Sequence, residues 1–183
     1  MKLLLGRIPS PLGELLLVVD AAGQVRALDY AGYEARLHRL LREHYGTHEL
    51  VDAAPPPAIR EAIERYFDGD LTAAEGIATA TAGSDLQRRV WEALRRIPNG
   101  VTATYGQLAR ELGFEDPRAA IDVGAACGSN PIAIVVPCHR VIASDGSLKG
   151  YAGGLHRKRW LLEHEKALAE VPPVPQTARL PGI

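Results

Sequence analysis

The chain has 183 residues, enough for one large domain or two small ones with cores of their own. A hydrophobic share of 46% excludes a disordered chain, and a formal charge of −1 with a pI of about 6.6 excludes the strongly basic balance of many nucleic-acid binders. Two cysteines, Cys127 and Cys138, are too few for a disulfide framework or a zinc cluster, which favours a reducing, cytoplasmic compartment.

The opening segment is apolar in patches, but Arg7, Pro9, Pro11 and Glu14 interrupt it, so it reads as neither a signal peptide nor a membrane span. Residues 3–8, 14–19 and 25–30 are short apolar runs split by Pro-Leu-Gly and Ala-Gly-Gln turn signals, and they predict a three-stranded antiparallel meander. Helical spacing of Leu37, Leu40 and Leu41 predicts a helix over 33–45; Ile59, Ile63 and Tyr66 predict another over 58–67, started by the prolines at 55–57. The small residues at 79–83 mark a boundary between an N-terminal α+β unit, 1–80, and a C-terminal unit, 84–168. The first 83 residues carry net −4 and residues 84–170 net +2, so the mild positive excess falls in the half that holds Cys138.

Ser84 is a good N-cap for a helix over 85–96 with Val90, Trp91 and Leu94 on one face, ended by Pro98 and Gly100. A short helix follows over 104–112, closed by Gly113, and a second over 118–127 behind Pro117; together they make a helix-turn-helix candidate. Residues 132–136 form a buried apolar run that delivers Pro137-Cys138-His139-Arg140. A short strand over 141–143, a turn, a glycine-bearing loop over 151–154 and a last helix over 155–164 complete this half. Four prolines after residue 170 give a tail, 171–183, that reads as disordered. The whole is an α+β fold with a mostly helical C-terminal half.

A lone cysteine is commonly buried and inert. Here Pro137 and the polar pair His139-Arg140 end the apolar run abruptly, which places the thiol at an edge. An adjacent cation or hydrogen-bonded imidazole lowers a thiol pKa and raises the thiolate fraction. Protease-type pairs draw their histidine from elsewhere in the chain, and no third or fourth ligand is spaced for a metal. The loop Gly150-Tyr151-Ala152-Gly153-Gly154 lacks the Lys-Ser/Thr of a phosphate loop. It fits a tight turn, or a loop whose backbone approaches a flat ligand with Tyr151 stacked on it. The alanine- and glycine-rich helix fits close packing or a deep seat in a DNA groove, and its periodicity does not separate the two.

PCHRV at 137–141, followed by YAGG at 151–154 and RKRWLLEHE at 157–165, resembles the active-site region of the O6-alkylguanine-DNA alkyltransferases. TYGQLA at 104–109, SNP at 129–131 and SDLQRRVWEALRRIPNG at 84–100 are similar as well. The likeness is strong from about residue 80 to 168 and weaker before it, where PSPLGELLLV and the helix before Tyr66-Phe67-Asp68-Gly69 are similar to bacterial members. It implies a small N-terminal domain with a three-stranded antiparallel sheet and a winged-helix-like C-terminal domain.

The resemblance further implies that Cys138 takes an alkyl group from guanine O6, with His139 as base through a bridging water and Glu165 orienting it. Asn130 would order the active-site turn, Tyr105 would donate toward guanine N3, and Lys158 would support Tyr105. The backbone at Cys138 and Val141 would read the guanine amine, the amide of Ala152 would face O6, Tyr151 would wall the pocket, and Arg140 would belong to the same substrate-facing group. Arg118, Ala119, Ala120, Ile121 and Gly124 would lie on the DNA-facing helix. The implied partner is double-stranded DNA carrying O6-alkylguanine, with O4-alkylthymine as a further lesion; the base would be flipped out. The implied protein acts once, as a monomer, without cofactor, metal or membrane. The structural zinc of some relatives is not expected, because no cysteine precedes residue 127.

One departure stands out. The family's Ala-Ala-Arg-Ala-Val-Gly is here Ala-Ala-Ile-Asp-Val-Gly at 119–124, so Ile121 replaces the arginine that fills the gap left by the flipped base. An apolar side chain can still wedge between bases, and Arg118 lies about 4.5 Å away along the helix. Asp122 would repel phosphates it faced. Weaker duplex binding than the family norm is expected. A damage-binding protein, an alkyltransferase of single strands or a non-DNA substrate, and a thiol hydrolase are the competing readings.

Overall fold

Residues 1–168 are described by a computed structural model; the tail expected to be disordered lies outside the described residues. Strands β1 (Lys2–Ile8), β2 (Leu15–Val19) and β3 (Val25–Tyr30) form the expected antiparallel meander, with Leu5 opposite Val18 and Leu15 opposite Tyr30. A fourth strand that the sequence pattern did not mark, β4 (Glu49–Asp52), pairs parallel to β1, giving the spatial order β3-β2-β1-β4. Its four residues end in charges and show no alternation.

Strand β2 is buried on both faces, which is why its five residues are all Leu or Val. One face carries Leu16 and Val18 against helix α1 (Glu34–Tyr45), whose Leu37 and Leu41 complete a small core. The other face, with Leu15, Leu17 and Val19, enters a larger core shared with Val90, Trp91, Leu94 and Leu161. The two halves expected from the sequence therefore meet in one apolar interior.

Helix α2 (Pro57–Phe67) ends at Tyr66 and Phe67, which pack on the last helix, α6 (Leu155–His164). His164 stacks on Trp160 at 4.7 Å, and its Nε2 donates to the Tyr66 carbonyl at 2.6 Å. Helix α3 (Asp85–Arg95) starts at a capping box in which Ser84 and Gln87 satisfy each other's backbone N–H groups, and Trp91 Nε1 donates to Ala126 O at 2.9 Å. Strand β5 (Ala103–Thr104) leads into helix α4 (Tyr105–Glu111), capped in the same way by Thr104 and Gln107. Gly113, at φ 90°, reverses the chain: Phe114 N–H bonds Ala109 O and Gly113 N–H bonds Arg110 O. Helix α5 (Ala119–Gly128) follows, so α4 and α5 make the expected helix-turn-helix. A short strand, β6 (Val141–Ile142), pairs parallel to β5. No helix among the described residues is long and apolar enough to cross a membrane.

Candidate active site

The free edge of β3 fixes the turn that precedes the cysteine. Leu28 N–H bonds Pro131 O and Ala133 N–H bonds Leu28 O, both at 2.9 Å, which covers an edge that would otherwise be open. Asn130, buried, staples the turn from inside: its Oδ1 accepts from Ile132 N–H at 2.9 Å and its Nδ2 donates to Val136 O at 2.8 Å. Arg36 of α1 bonds Asp29 at 2.7 Å and also reaches the carbonyls of Gly128 and Asn130. Ile134 is held at φ 70°, a strained conformation for a β-branched residue that persists because its surroundings over-determine it.

Pro137 then starts a single 3-10 turn, Cys138–Arg140. His139 and Arg140 both turn inward to Glu165, just past the end of α6. His139 Nε2 lies 2.9 Å from Glu165 Oε2; Arg140 Nε and Nη2 donate to Oε1 and Oε2 at 2.8 and 3.0 Å; Arg140 Nη1 donates to Ile97 O at 2.6 Å. Tyr66 O–H adds a 2.6 Å bond to Oε2. All four side chains are buried. Burial alone would push the Glu165 carboxyl up, but His139 and Arg140 more than reverse it and hold it well below the usual carboxylate range. Burial pushes His139 below its ordinary value, against the pull of Glu165, so the imidazole is neutral. With a carboxylate accepting at Nε2, the proton sits on Nε2 and Nδ1 carries the bare lone pair. That Nδ1 is buried with no hydrogen-bond partner among the described residues.

The Cys138 thiol departs from the sequence expectation. Burial pushes it up from its ordinary value; Asn130 and the positive charges of Lys158 and Arg36 pull the other way without prevailing. The resting sulfur is therefore a thiol rather than a preformed thiolate, despite the neighbouring imidazole. Cys127 is deeper, and burial raises it too.

The remaining expected positions divide. Tyr105 begins α4, half-buried, with its ring against Gly124; burial chiefly pushes its hydroxyl up to about 12. Lys158 does not reach Tyr105. Its fully buried Nζ donates to Val141 O at 2.6 Å and Gly150 O at 3.1 Å, which ties both sides of the loop to α6, and burial pulls it down to about 8. Arg140 faces away from any substrate, its guanidinium taken by Glu165 and Ile97. Val141 is buried in β6, and Ala152 is exposed at the tip of a turn closed by a bond from Gly154 N–H to Tyr151 O. Tyr151, half-buried, pairs hydroxyl to hydroxyl with Tyr30 of β3 at 2.8 Å.

On α5 the expected DNA-facing group also splits. Ala119 is buried in the core rather than facing outward, because it lies one turn from the core residue Val123. Ala120 and Gly124 are half-buried. Ile121 is 73% exposed and Asp122 is exposed beside it. Arg118 is exposed, but Asp116 grips its guanidinium at 2.8 Å.

Three residues that the sequence left unmarked belong to the site: Tyr66, Tyr30 and Arg36. Each comes from the N-terminal half, and no local spacing links them to Cys138; the Tyr66–Glu165 bond spans 99 positions.

Residues 85–167 match the family model described as 6-O-methylguanine DNA methyltransferase, DNA binding domain. A methylated-DNA–protein-cysteine methyltransferase of Salmonella typhimurium is 48% identical over 167 residues, 90% of this chain and 96% of its own. One of the same name from Mycobacterium tuberculosis is 43% identical over 162 residues, 88% of this chain and 92% of its own. The crystal structure of Mycobacterium tuberculosis OGT in complex with DNA superposes with a TM-score of 0.75 at 38% identity, covering 91% of this chain and 94% of that one.

Proposed function

The chain belongs to the methylated-DNA–protein-cysteine methyltransferase family, and from that premise we propose that it repairs DNA by taking an alkyl group from guanine O6 onto Cys138. The observation that carries this reading is His139. It follows Cys138 directly, its Nε2 is fixed to Glu165 at 2.9 Å, and its Nδ1 is left bare and buried. A base so held has one remaining task, to take a proton.

The alkyl carbon of the lesion is hidden in a duplex, so the nucleotide swings out into the pocket walled by Tyr151. As the sulfur approaches, its proton passes through a water to His139 Nδ1, and Glu165 stabilises the imidazolium that forms. The sulfur–carbon bond forms as the carbon–O6 bond breaks, and that electron pair returns to the guanine ring. Tyr105, its hydroxyl kept protonated by burial, donates at guanine N3 as the base leaves. The restored guanine gains the proton that balances the one lost from sulfur. The product is a thioether, a bond that water does not cleave near neutral pH, so each molecule acts once.

Arg140 and Tyr66 are positioning residues: they hold Glu165, which holds His139. Asn130 and Lys158 hold the turn and the loop that flank the sulfur. Ile121 is the side chain on α5 that enters the stack, with Arg118 at its edge. The partner is double-stranded DNA carrying O6-alkylguanine, and the acting unit is a monomer.

The test is incubation with an O6-methylguanine duplex, followed by intact mass and peptide mapping. One methyl per chain, on Cys138, with activity lost afterwards, is the expected result. Repeated turnover, or an unmodified Cys138 after the lesion has gone, contradicts the reading.

A further inference from the structure

We propose that Tyr30, on the N-terminal sheet, sets how large an alkyl group the site accepts, acting as a fixed post for the movable wall Tyr151. This rests on the alkyl-transfer reading above.

The two tyrosines are held very differently. Tyr30 is 1% exposed and boxed in on both sides. On one side lies Gly153, where any Cβ would overlap the Tyr30 ring. On the other lies the Arg157 guanidinium, 4.6 Å from the ring centroid, itself bonded to Gly153 O at 2.9 Å and Leu12 O at 3.1 Å. Tyr30 has no free rotamer. Tyr151, by contrast, is half-buried in a loop that has glycine on both sides, at 150 and 153. Its polar anchor is the 2.8 Å bond to the Tyr30 hydroxyl, and the rings meet edge to face at 6.3 Å.

Tyr30, Tyr151 and Cys138 pack into the same apolar cluster, and burial chiefly raises both hydroxyls. The Tyr151 ring is thus a partition whose angle is set by one hydrogen bond to a post outside the C-terminal half. With that bond intact, the ring stays in place and a bulky group on O6 must fit against it. Without it, the ring can swing on its glycine-flanked backbone, and the space in front of Cys138 widens.

The experiment compares single-turnover rates on duplexes carrying O6-benzylguanine and O6-methylguanine. Tyr30→Phe keeps the ring against Gly153 and Arg157 and removes only the hydroxyl. The benzyl-to-methyl rate ratio is expected to rise about fivefold, the weight of one neutral hydrogen bond. Tyr151→Phe breaks the same bond from the loop side and should raise the ratio equally, which keeps the test open should Tyr30→Phe not fold. The double variant should rise no further than either single one. An unchanged ratio in both single variants, or effects that multiply in the double variant, overturns the proposal. Methyl transfer to Cys138 by the unaltered chain is scored separately: if it fails, the alkyl-transfer reading is at fault, and if it succeeds with an unchanged ratio, only the role of Tyr30 is.

Discussion

The buried side of the site and its DNA-facing side are built to opposite standards. Around Glu165, four donor bonds from three residues converge on one carboxylate, and none of the three is exposed. On α5, the outward residues are an isoleucine, an aspartate and an arginine held by its own acidic neighbour. The proposed chemistry is over-determined by packing, whereas the face proposed to meet the duplex is thinly provided. The contrast teaches that in this chain the buried cluster around Glu165 is built far more tightly than the outward face of α5.

The largest expected effect comes from breaking the buried side. Glu165→Gln leaves Arg140 buried without its counter-charge and turns one of the two oxygens that accept from His139, Arg140 and Tyr66 into a donor. The single-turnover methylation rate should fall by about 10²–10³-fold, and stability to urea should drop by about 3–5 kcal/mol. A variant that methylates at the parental rate would show that the imidazole needs no carboxylate.

Acid should loosen the same cluster. The unfolded chain takes up protons at the ordinary values of 6.5 for His139 and 4.5 for Glu165, while the folded chain resists both until lower pH. The unfolded state therefore binds more protons as pH falls. Stability is fully present above the His139 value, begins to fall below it, and falls more steeply below 4.5, by at most about 1.4 kcal/mol per pH unit for each group. Urea midpoints measured across that range check this. In Glu165→Gln the steeper acid limb should vanish.

The DNA-facing side should respond in the other direction, and less. Ile121→Arg puts a cation where the chain has an exposed apolar tip, and it should tighten binding to a lesion duplex by about three- to tenfold. The salt dependence should steepen by about one phosphate contact. Equal or weaker affinity would contradict the placement of α5 in the groove.

Local structure in this chain was readable from sequence wherever the cause was local. Ser84 and Thr104 cap helices because their own glutamines lie three residues on, and Gly113 ends α4 because the reversal needs a left-handed residue. PCHR marked the turn that carries the proposed nucleophile and its proposed base. The errors share a different origin. Strand β4 is held by β1 rather than by any pattern of its own, and Ala119 is buried in the shared core. Lys158 and Arg140 carry charges that the sequence suggested were aimed at substrate or at Tyr105. The fold uses both internally, on carbonyls and on Glu165, because a buried cation must find acceptors wherever packing supplies them. Tyr66 and Tyr30 reach the site across the shared core, through contacts that no spacing along the chain encodes.

The same reasoning decides how the sulfur becomes reactive. Adjacency to His139 suggested a standing thiolate, yet burial keeps Cys138 protonated, so the nucleophile must be made during attack by the Glu165-held imidazole. Ultraviolet titration of the thiolate, taken as the difference between the unaltered chain and Cys138→Ser, tests this most directly. The account predicts no Cys138 thiolate near neutral pH, with ionisation only above the ordinary thiol value of 9.0. A thiolate signal already present at neutral pH would contradict it.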